Sequence, residues 1–280
     1  MEKRRNSTLC PQCRRLISID EDVCPYCGLS RPGSSFRGAF RGLMGPGAFD
    51  PVPSLIAVNV VVYILSLFLS PSGMGISMNP LRFLSPSEGS LFLLGATGTV
   101  PVFRFGRWWS LLTASFLHGG LLHLFFNMVA LSQLGPFVYL EFGFCRFFAL
   151  YIVSGIAGFL LSLLAGVPFT IGASASVCGL IGAILYYGKS RGGFFGEAIY
   201  RQAMGWVVGL VIFGLLVPGI NNWAHGGGIM AGLAAAWVLG YHERNEETLL
   251  HCLLGWGLLA LTGLAILWAV IQGVWRVWVF

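Results

Sequence analysis

Between Pro51 and Phe280 the chain carries fifteen charged residues in 230 positions, whereas its first fifty hold thirteen. Soluble proteins are roughly one quarter charged. A stretch this poor in charge cannot cover itself with surface that water solvates, so its solvent is lipid. The chain reads as an all-α polytopic membrane protein preceded by a small soluble piece. Its hydrophobic share of 56% and charged share of 10% exclude an ordinary cytosolic domain.

Apolar runs able to cross about 30 Å of hydrocarbon as helices, at about 1.5 Å per residue, fall at Ser54–Leu69, His123–Leu140, Phe147–Ala165, Ser174–Gly188, Ala203–Val217, His225–Tyr241 and Leu249–Trp275. The third to sixth are short or rich in Gly, Ala and Ser, which suits helices buried among other helices. The last is long and rich in Leu and Trp, and is expected on the outside of the bundle. Residues 189–202 read as a loop. The segment 70–117 is apolar but broken by Pro80, Pro86 and Pro101, so it is expected to lie in the membrane interface or to re-enter it.

The net charge of +6 does not point to nucleic acid. The basic residues gather in the N-terminal piece and at the ends of apolar segments, where they set orientation. Lys189, Arg191 and Arg201, with the turns bearing Arg146 and Arg244, share a side with the N-terminal cluster. Arg82, Arg104 and Arg107 sit in a long loop, where charge counting decides little. The expected topology is a multi-pass protein of a bacterial inner membrane, N-terminus cytoplasmic and C-terminus outside. Residues 1–50 lack the apolar run of a signal peptide.

Cys10-Pro-Gln-Cys13 and Cys24-Pro-Tyr-Cys27 form a C-x2-C-x10-C-x2-C pattern. Two tight turns bearing two thiolates each supply the tetrahedral sulfur set of a structural zinc. A segment this short has too little core to fold unaided, so metal binding would supply the folding free energy. A cytoplasmic placement disfavours the alternative of disulfides. The expected organisation is a zinc ribbon over 1–30, a Gly-, Pro- and Ser-rich linker over 31–53, a membrane core over 54–241, and an additional C-terminal helix over 242–280. The ribbon is free to dock a cytoplasmic partner. Cys145, Cys178 and Cys252 are isolated in sequence, and core packing is their default role.

Polar groups at membrane depth are costly and mark function. His123 and Asn127 stand one turn apart on one helix face. Ser174 opens a helix of small residues, and His225 opens another. Gly228 and Gly232 on one helix, with Gly179 and Ala183 on the other, form smooth stripes that let the backbones approach. That approach would bring imidazole and hydroxyl together. A serine becomes a nucleophile once an adjacent base takes its proton; His225 is the candidate base and later acid. The backbone at the helix start, His123 and Asn127 are candidate donors to an oxyanion. No triad acid accompanies them, so the pair is a dyad. Each residue also has a plainer reading: Ser174 as a helix cap, His123 and Asn127 as links between helices.

Taken together, Gly172-Ala-Ser174 followed by Gly179-Leu180, the string from Phe116 through His123 to Asn127-Met128, and Ala224-His225 followed by Gly228 and Gly232 resemble the rhomboid intramembrane serine proteases. The resemblance runs from about Pro53 to Tyr241. It implies a six-helix bundle plus one additional C-terminal transmembrane helix, with no cofactor for catalysis. It implies Ser174 as nucleophile, His225 as base, and His123 and Asn127 as oxyanion donors. The spacing to Gly179 selects Ser174 over Ser176. The implied substrates are transmembrane segments of other proteins within the bilayer. The chain departs from the pattern at Ala175, at Ser110 after Trp109, and at Cys178, where an aromatic usually packs on the catalytic imidazole. A silent rhomboid-like binder of membrane clients is the alternative. A transporter would need a polar path across the bundle, whereas these polar groups gather toward one side.

Overall fold

The computed structural model describes residues 7–10, 15–18, 21–28, 50–69 and 83–278. Cys13, most of the linker, Pro80 and Arg82 lie outside the described residues. The chain divides into two compact units, Met1–Phe49 and Asp50–Phe280.

In the first unit β1 (Ser7–Leu9) pairs antiparallel with β2 (Leu16–Ser18) in the register Thr8 to Ile17. Ile17 packs beneath Cys10 and Cys24, with Cys27 against them. So short a hairpin is at best marginal without further ties.

The second unit is helical. In chain order it holds α1 (Pro51–Phe68), α2 (Glu88–Leu93), a π-helical turn (Val100–Arg104), α3 (Ser110–Thr113), a 3-10 turn (Ala114–Phe116), α4 (Leu121–Phe142), α5 (Phe144–Leu164), α6 (Ser174–Arg191), α7 (Gly193–Leu216), α8 (Asn222–Leu239) and α9 (Leu249–Trp278). Asp50 caps α1 by accepting from Val52 N at 2.9 Å, and Pro51 takes the first helical position, where a missing N–H costs nothing.

Among the described residues five helices are long and apolar enough to cross a membrane: α1, α4, α5, α7 and α9. The protein is an integral, multi-pass membrane protein. Helices α6 and α8 fall short of that mark for a physical reason. One ends in Lys189 and Arg191, the other carries Asn222, His225 and four glycines. Helix α6 occupies the interior instead, whereas α8 packs one face on α5 and α6 and exposes Trp223, Met230, Trp237 and Val238. Helix α6 buries thirteen of its eighteen residues, with α4, α5, α7 and α8 around it. Helix α9 lies outside, against α5 and the short helices of the first loop.

Three sequence expectations need correction. Residues 189–202 are helical rather than a loop: Lys189 and Arg191 complete α6, the chain turns at Gly192 and Gly193, each with φ +66°, and α7 starts ten residues earlier than its apolar run. Arg201 pairs with Glu197 one turn away at 3.0 Å, an i,i+4 spacing that supports helix rather than breaking it. Arg146 is not an interfacial charge. It is fully buried, and its guanidinium donates to Asn245 O at 2.9 Å and Glu246 O at 2.8 Å, folding the link between α8 and α9. Cys145 and Cys252 are not isolated either, since their sulfurs meet.

Residues 83–117, the described part of the first loop, form short broken helices around Pro86 and Pro101. Arg107 is spent inside it, donating to Phe92 O and Leu93 O while its guanidinium lies over the rings of Phe92 and Trp109 at 4.4 and 4.5 Å.

Candidate active site

Ser174 stands at the first position of α6. The turn that delivers it depends on Gly172, whose φ of +123° suits a residue without Cβ. Its N–H donates to Ala114 O at 2.9 Å. A Cβ at Gly172 would come within 2.7 Å of His123 Nε2 and 3.7 Å of Ser174 Oγ. The imidazole and the hydroxyl therefore flank the same glycine.

The proton on His123 is placed by its neighbour. Gly119 N–H donates to His123 Nδ1 at 3.3 Å. A neutral imidazole that accepts at Nδ1 carries its hydrogen on Nε2, so the nitrogen turned toward Gly172 is a donor. One turn on, Asn127 is buried and its Nδ2 donates to His123 O at 2.8 Å. That leaves its second amide hydrogen for another acceptor. At the start of α6 the N–H groups of the first turn precede the first intrahelical bond, Val177 N to Ala173 O at 2.9 Å, and are available in the same way.

His225 lies in the first turn of α8. Asn221 caps that helix by accepting from Ala224 N at 3.1 Å, and its Nδ2 donates to Ser162 Oγ at 2.8 Å and Thr170 Oγ1 at 2.9 Å. One side chain thus ties the start of α8 to α5 and to the segment leading into Ser174. Thr170 is fixed in turn by a two-way backbone bridge with Thr97, at 3.1 and 2.7 Å.

The small-residue stripes meet as expected, with one adjustment of register. Gly228 faces Ala175 and Gly232 faces Gly179; the next close approach is at Gly182, whose Cβ would lie 2.8 Å from Leu233 N. On α5, Gly158 admits both partners: a Cβ there would meet Ala224 O at 2.5 Å and Ala175 Cβ at 2.9 Å. Ser174 and His225 are brought to the same end of the α6–α8 pair, each in the first turn of its helix. Among the described residues no hydrogen bond joins Ser174 to His225, and none reaches the buried His225 Nδ1. Catalytic hydrogen bonds are often long before substrate arrives.

Ser176 is separated from Ser174 by environment. It is fully buried, and its Oγ donates to Ser115 Oγ at 3.3 Å against Gly155, whereas Ser174 is half-buried at a helix start. Cys178 is buried beneath α8, close to Gly228, at the place where the resemblance implies an aromatic.

Two neighbours of the site escaped the sequence reading. His118 is fully buried with its ring edge-on to His123, centroids 5.1 Å apart. It precedes α4, so no helical spacing pointed to it. Asn221 was legible in principle, because an Asn just before a helix is a common cap.

In the N-terminal unit the sulfurs of Cys10, Cys24 and Cys27 lie within 4.8 Å of one another, with Cys10 and Cys27 3.6 Å apart. Zinc–sulfur bonds of about 2.3 Å in a tetrahedron place sulfurs about 3.8 Å apart, so the three described thiols fit such an ion.

Residues 106–242 match the Rhomboid domain. RHOMBOID-like protein 4 of Arabidopsis thaliana is 31% identical over 236 residues, covering 75% of this chain and 58% of the relative. RHOMBOID-like protein 5 of the same plant is 32% identical over 212 residues, 67% of each chain. Rhomboid protease GluP of Bacillus subtilis (strain 168) is 36% identical over 135 residues, 48% of this chain and 27% of the relative. The chain thus spans between about a quarter and two thirds of these relatives. The matched region contains His118, His123, Asn127, Ser174 and His225 and the glycines that pack them together, and on these grounds the chain belongs to the rhomboid family.

Proposed function

We propose that this protein is an intramembrane serine endopeptidase that hydrolyses transmembrane segments of other membrane proteins. The observation that carries the reading is the convergence at Gly172: a half-buried Ser174 hydroxyl on one side and a His123 imidazole held as an Nε2–H donor on the other. A helix-cap role for Ser174 does not account for a half-buried donor aimed at the same point.

In this reading Ser174 Oγ attacks the scissile carbonyl while His225 takes its proton. The tetrahedral oxyanion is held by first-turn N–H groups of α6, by His123 Nε2–H and by the spare amide hydrogen of Asn127. Donors already in place cost no reorganisation when charge develops. His225 then protonates the leaving amine, and water hydrolyses the acyl-enzyme by the same base. Asn221 and Thr170 position the start of α8 and so the base. A substrate helix has a lateral route. Helix α7 buries only Gly196 and Ala203, approaches α6 where Gly188 meets Gly196, and meets α4 through Phe126 and Phe213, centroids 6.4 Å apart.

Cys10, Cys13, Cys24 and Cys27 would hold one structural zinc, which folds the ribbon and takes no part in catalysis. The ribbon lies in the cytoplasm of a bacterial cell, available to a partner there, with the C-terminus outside. Chain direction supports a site on the outer side, since α1 enters the bundle at the end opposite Ser174, where Val52 packs on Gly135 of α4.

One observation favours the second reading, a silent binder of membrane clients: Cys178 stands where the resemblance implies an aromatic against His225, and among the described residues His225 Nδ1 has no hydrogen-bond partner. Labelling purified protein with a fluorophosphonate separates the two. The enzyme reading expects labelling of the wild type and none of Ser174→Ala. Absence of labelling in both, with the bundle intact, would support the binder.

A further inference from the structure

The end of the bundle away from Ser174 holds a second cluster of reactive side chains. Helix α5 starts there after Gly143, placing Cys145 and Arg146 in its first turn, and α9 starts there with Cys252 in its own first turn. Cys145 Sγ and Cys252 Sγ are 2.6 Å apart. Neighbouring packing forces that meeting. A Cβ at Gly255 would lie 2.5 Å from Cys145 O and 2.9 Å from Cys145 Cα. The glycine lets α9 press on the α5 backbone, and Cys252, one turn earlier on the same face, is delivered onto Cys145. Phe144 and Trp256 close the contact, rings 5.2 Å apart. The sulfurs sit in a polar layer: Glu247 accepts from Arg146 N at 2.9 Å, and His251 Nδ1 accepts from Thr248 N at 3.0 Å. Cys145 is buried and Cys252 half-buried.

Three groups here, Cys145, Glu247 and Cys252, are close enough to suggest a metal site. The geometry argues against it. Sulfurs bound to one tetrahedral zinc stand about 3.8 Å apart, and the Glu247 carboxylate is already committed to the N-terminus of α5. Closing the sulfur gap to the covalent distance of about 2.05 Å takes a movement of only about half an ångström.

We propose that Cys145 and Cys252 form a reversible, peroxide-driven disulfide that covalently fastens the outer helix α9 to core helix α5. The half-buried Cys252 thiol takes one oxygen from hydrogen peroxide, giving a sulfenic acid and one water. The Cys145 thiol then attacks that sulfur, the S–S bond forms, and the displaced hydroxide leaves as a second water with the Cys145 proton. Two thiols lose two electrons and two hydrogens, and one peroxide becomes two waters. A thiol reductant reverses the bond by exchange. The link adds a covalent tie to the packing of α9 on α5 and on the short helices of the first loop. Protein regions kept in a reducing compartment use such bonds transiently rather than as permanent struts.

The full-length protein in detergent, reduced and then exposed to hydrogen peroxide, tests this without reference to proteolysis. After denaturation and alkylation, mass spectrometry is expected to show a peptide pair joined through Cys145 and Cys252, lost on treatment with dithiothreitol, while Cys178 stays alkylated as a thiol. Oxidised wild type is expected to melt several degrees above the reduced form, and Cys252→Ser to show no peroxide-dependent shift, with Cys145 then recovered as a thiol. Recovery of both cysteines as free thiols, or of Cys252 as sulfinic acid beside an unmodified Cys145, overturns the proposal. Protection of both thiols until a chelator is added overturns it in favour of a metal.

Discussion

Gly226 and Gly228 stand two residues apart in the first turns of α8, yet a methyl group added to each meets opposite surroundings. At Gly226 nothing lies within 4 Å. At Gly228 the new Cβ would press into Ala175 O and lie 3.0 Å from Ala175 C and 3.2 Å from Cys178 Cβ. The obstacle is α6 backbone, one residue from Ser174, so a rotamer change cannot relieve it and the helices must part. The required displacement is on the order of 1 Å, and a misplacement of that size between reacting groups costs about 100-fold in rate. Overpacking costs about 1–3 kcal/mol of stability, offset by the ~1 kcal/mol that alanine gains over glycine in a helix. Gly228→Ala is therefore expected to fold, to melt slightly lower, and to turn over about 100-fold more slowly at saturating substrate. Gly226→Ala is expected to match or slightly exceed the wild type in stability and to keep its rate. The assay is cleavage of a transmembrane reporter in liposomes, with a thermal melt of each variant. Wild-type turnover in Gly228→Ala, or an equal loss in both variants, would refute the claim that the α6–α8 contact sets the distance between Ser174 and His225.

The same assay carries the other predictions. Ser174→Ala, His225→Ala and the double variant are expected to share one residual rate, because groups acting as a unit are not additive; a double variant much slower than either single breaks the dyad. Asn127→Ala is expected to lower kcat by about 10- to 1,000-fold, the scale for one oxyanion donor, with the fold retained; unchanged turnover returns Asn127 to the simple Nδ2 bond it makes to His123 O. Purified full-length protein is expected to carry about one zinc per chain. A chain shortened to begin at Asp50 should lose that zinc and keep its cleavage rate; zinc-dependent cleavage by the shortened chain would contradict the separation of ribbon and site.

The helices themselves were legible because lipid imposes a simple rule on length and polarity, and most of the apolar runs begin and end within three residues of the observed elements. The exception, the first ten residues of α7, carries Glu197, Arg201 and two glycines. Those are loop-like as composition, but Glu197 and Arg201 are helical as spacing. Helix periodicity and glycine stripes pointed to His123, Asn127, Ser174 and His225 as the candidate site. They were silent at His118, whose contact with His123 is made by a turn. Buried Arg146 shows the limit of charge counting: a guanidinium that binds three carbonyl groups inside the protein has the same letter as one that marks a membrane face. The Cys145–Cys252 pair spans 107 positions with no motif around it, and a contact between two helix starts leaves no periodic trace.

Helices α6 and α8, which carry Ser174 and His225, are the two long helices not apolar enough along their length to count among the membrane-crossing set. In the proposed reading this links enclosure to catalysis. Unpaired polar groups in hydrocarbon are costly, so Ser174, His225 and the N-terminal turns of α6 and α8 need neighbours on every side. Larger side chains at the interface would surround them but hold the backbones apart. Ala175, Gly179 and Gly182 on one helix and Gly228 and Gly232 on the other let those backbones touch, and the same contact sets how far the serine lies from the histidine. Gly158 on α5 extends the arrangement by letting a third backbone reach both. A side chain added at this three-helix junction therefore disturbs shielding and reaction geometry together. On α9, where Leu261 and Leu264 are exposed at 57% and 64%, the surface meets lipid and takes part in neither.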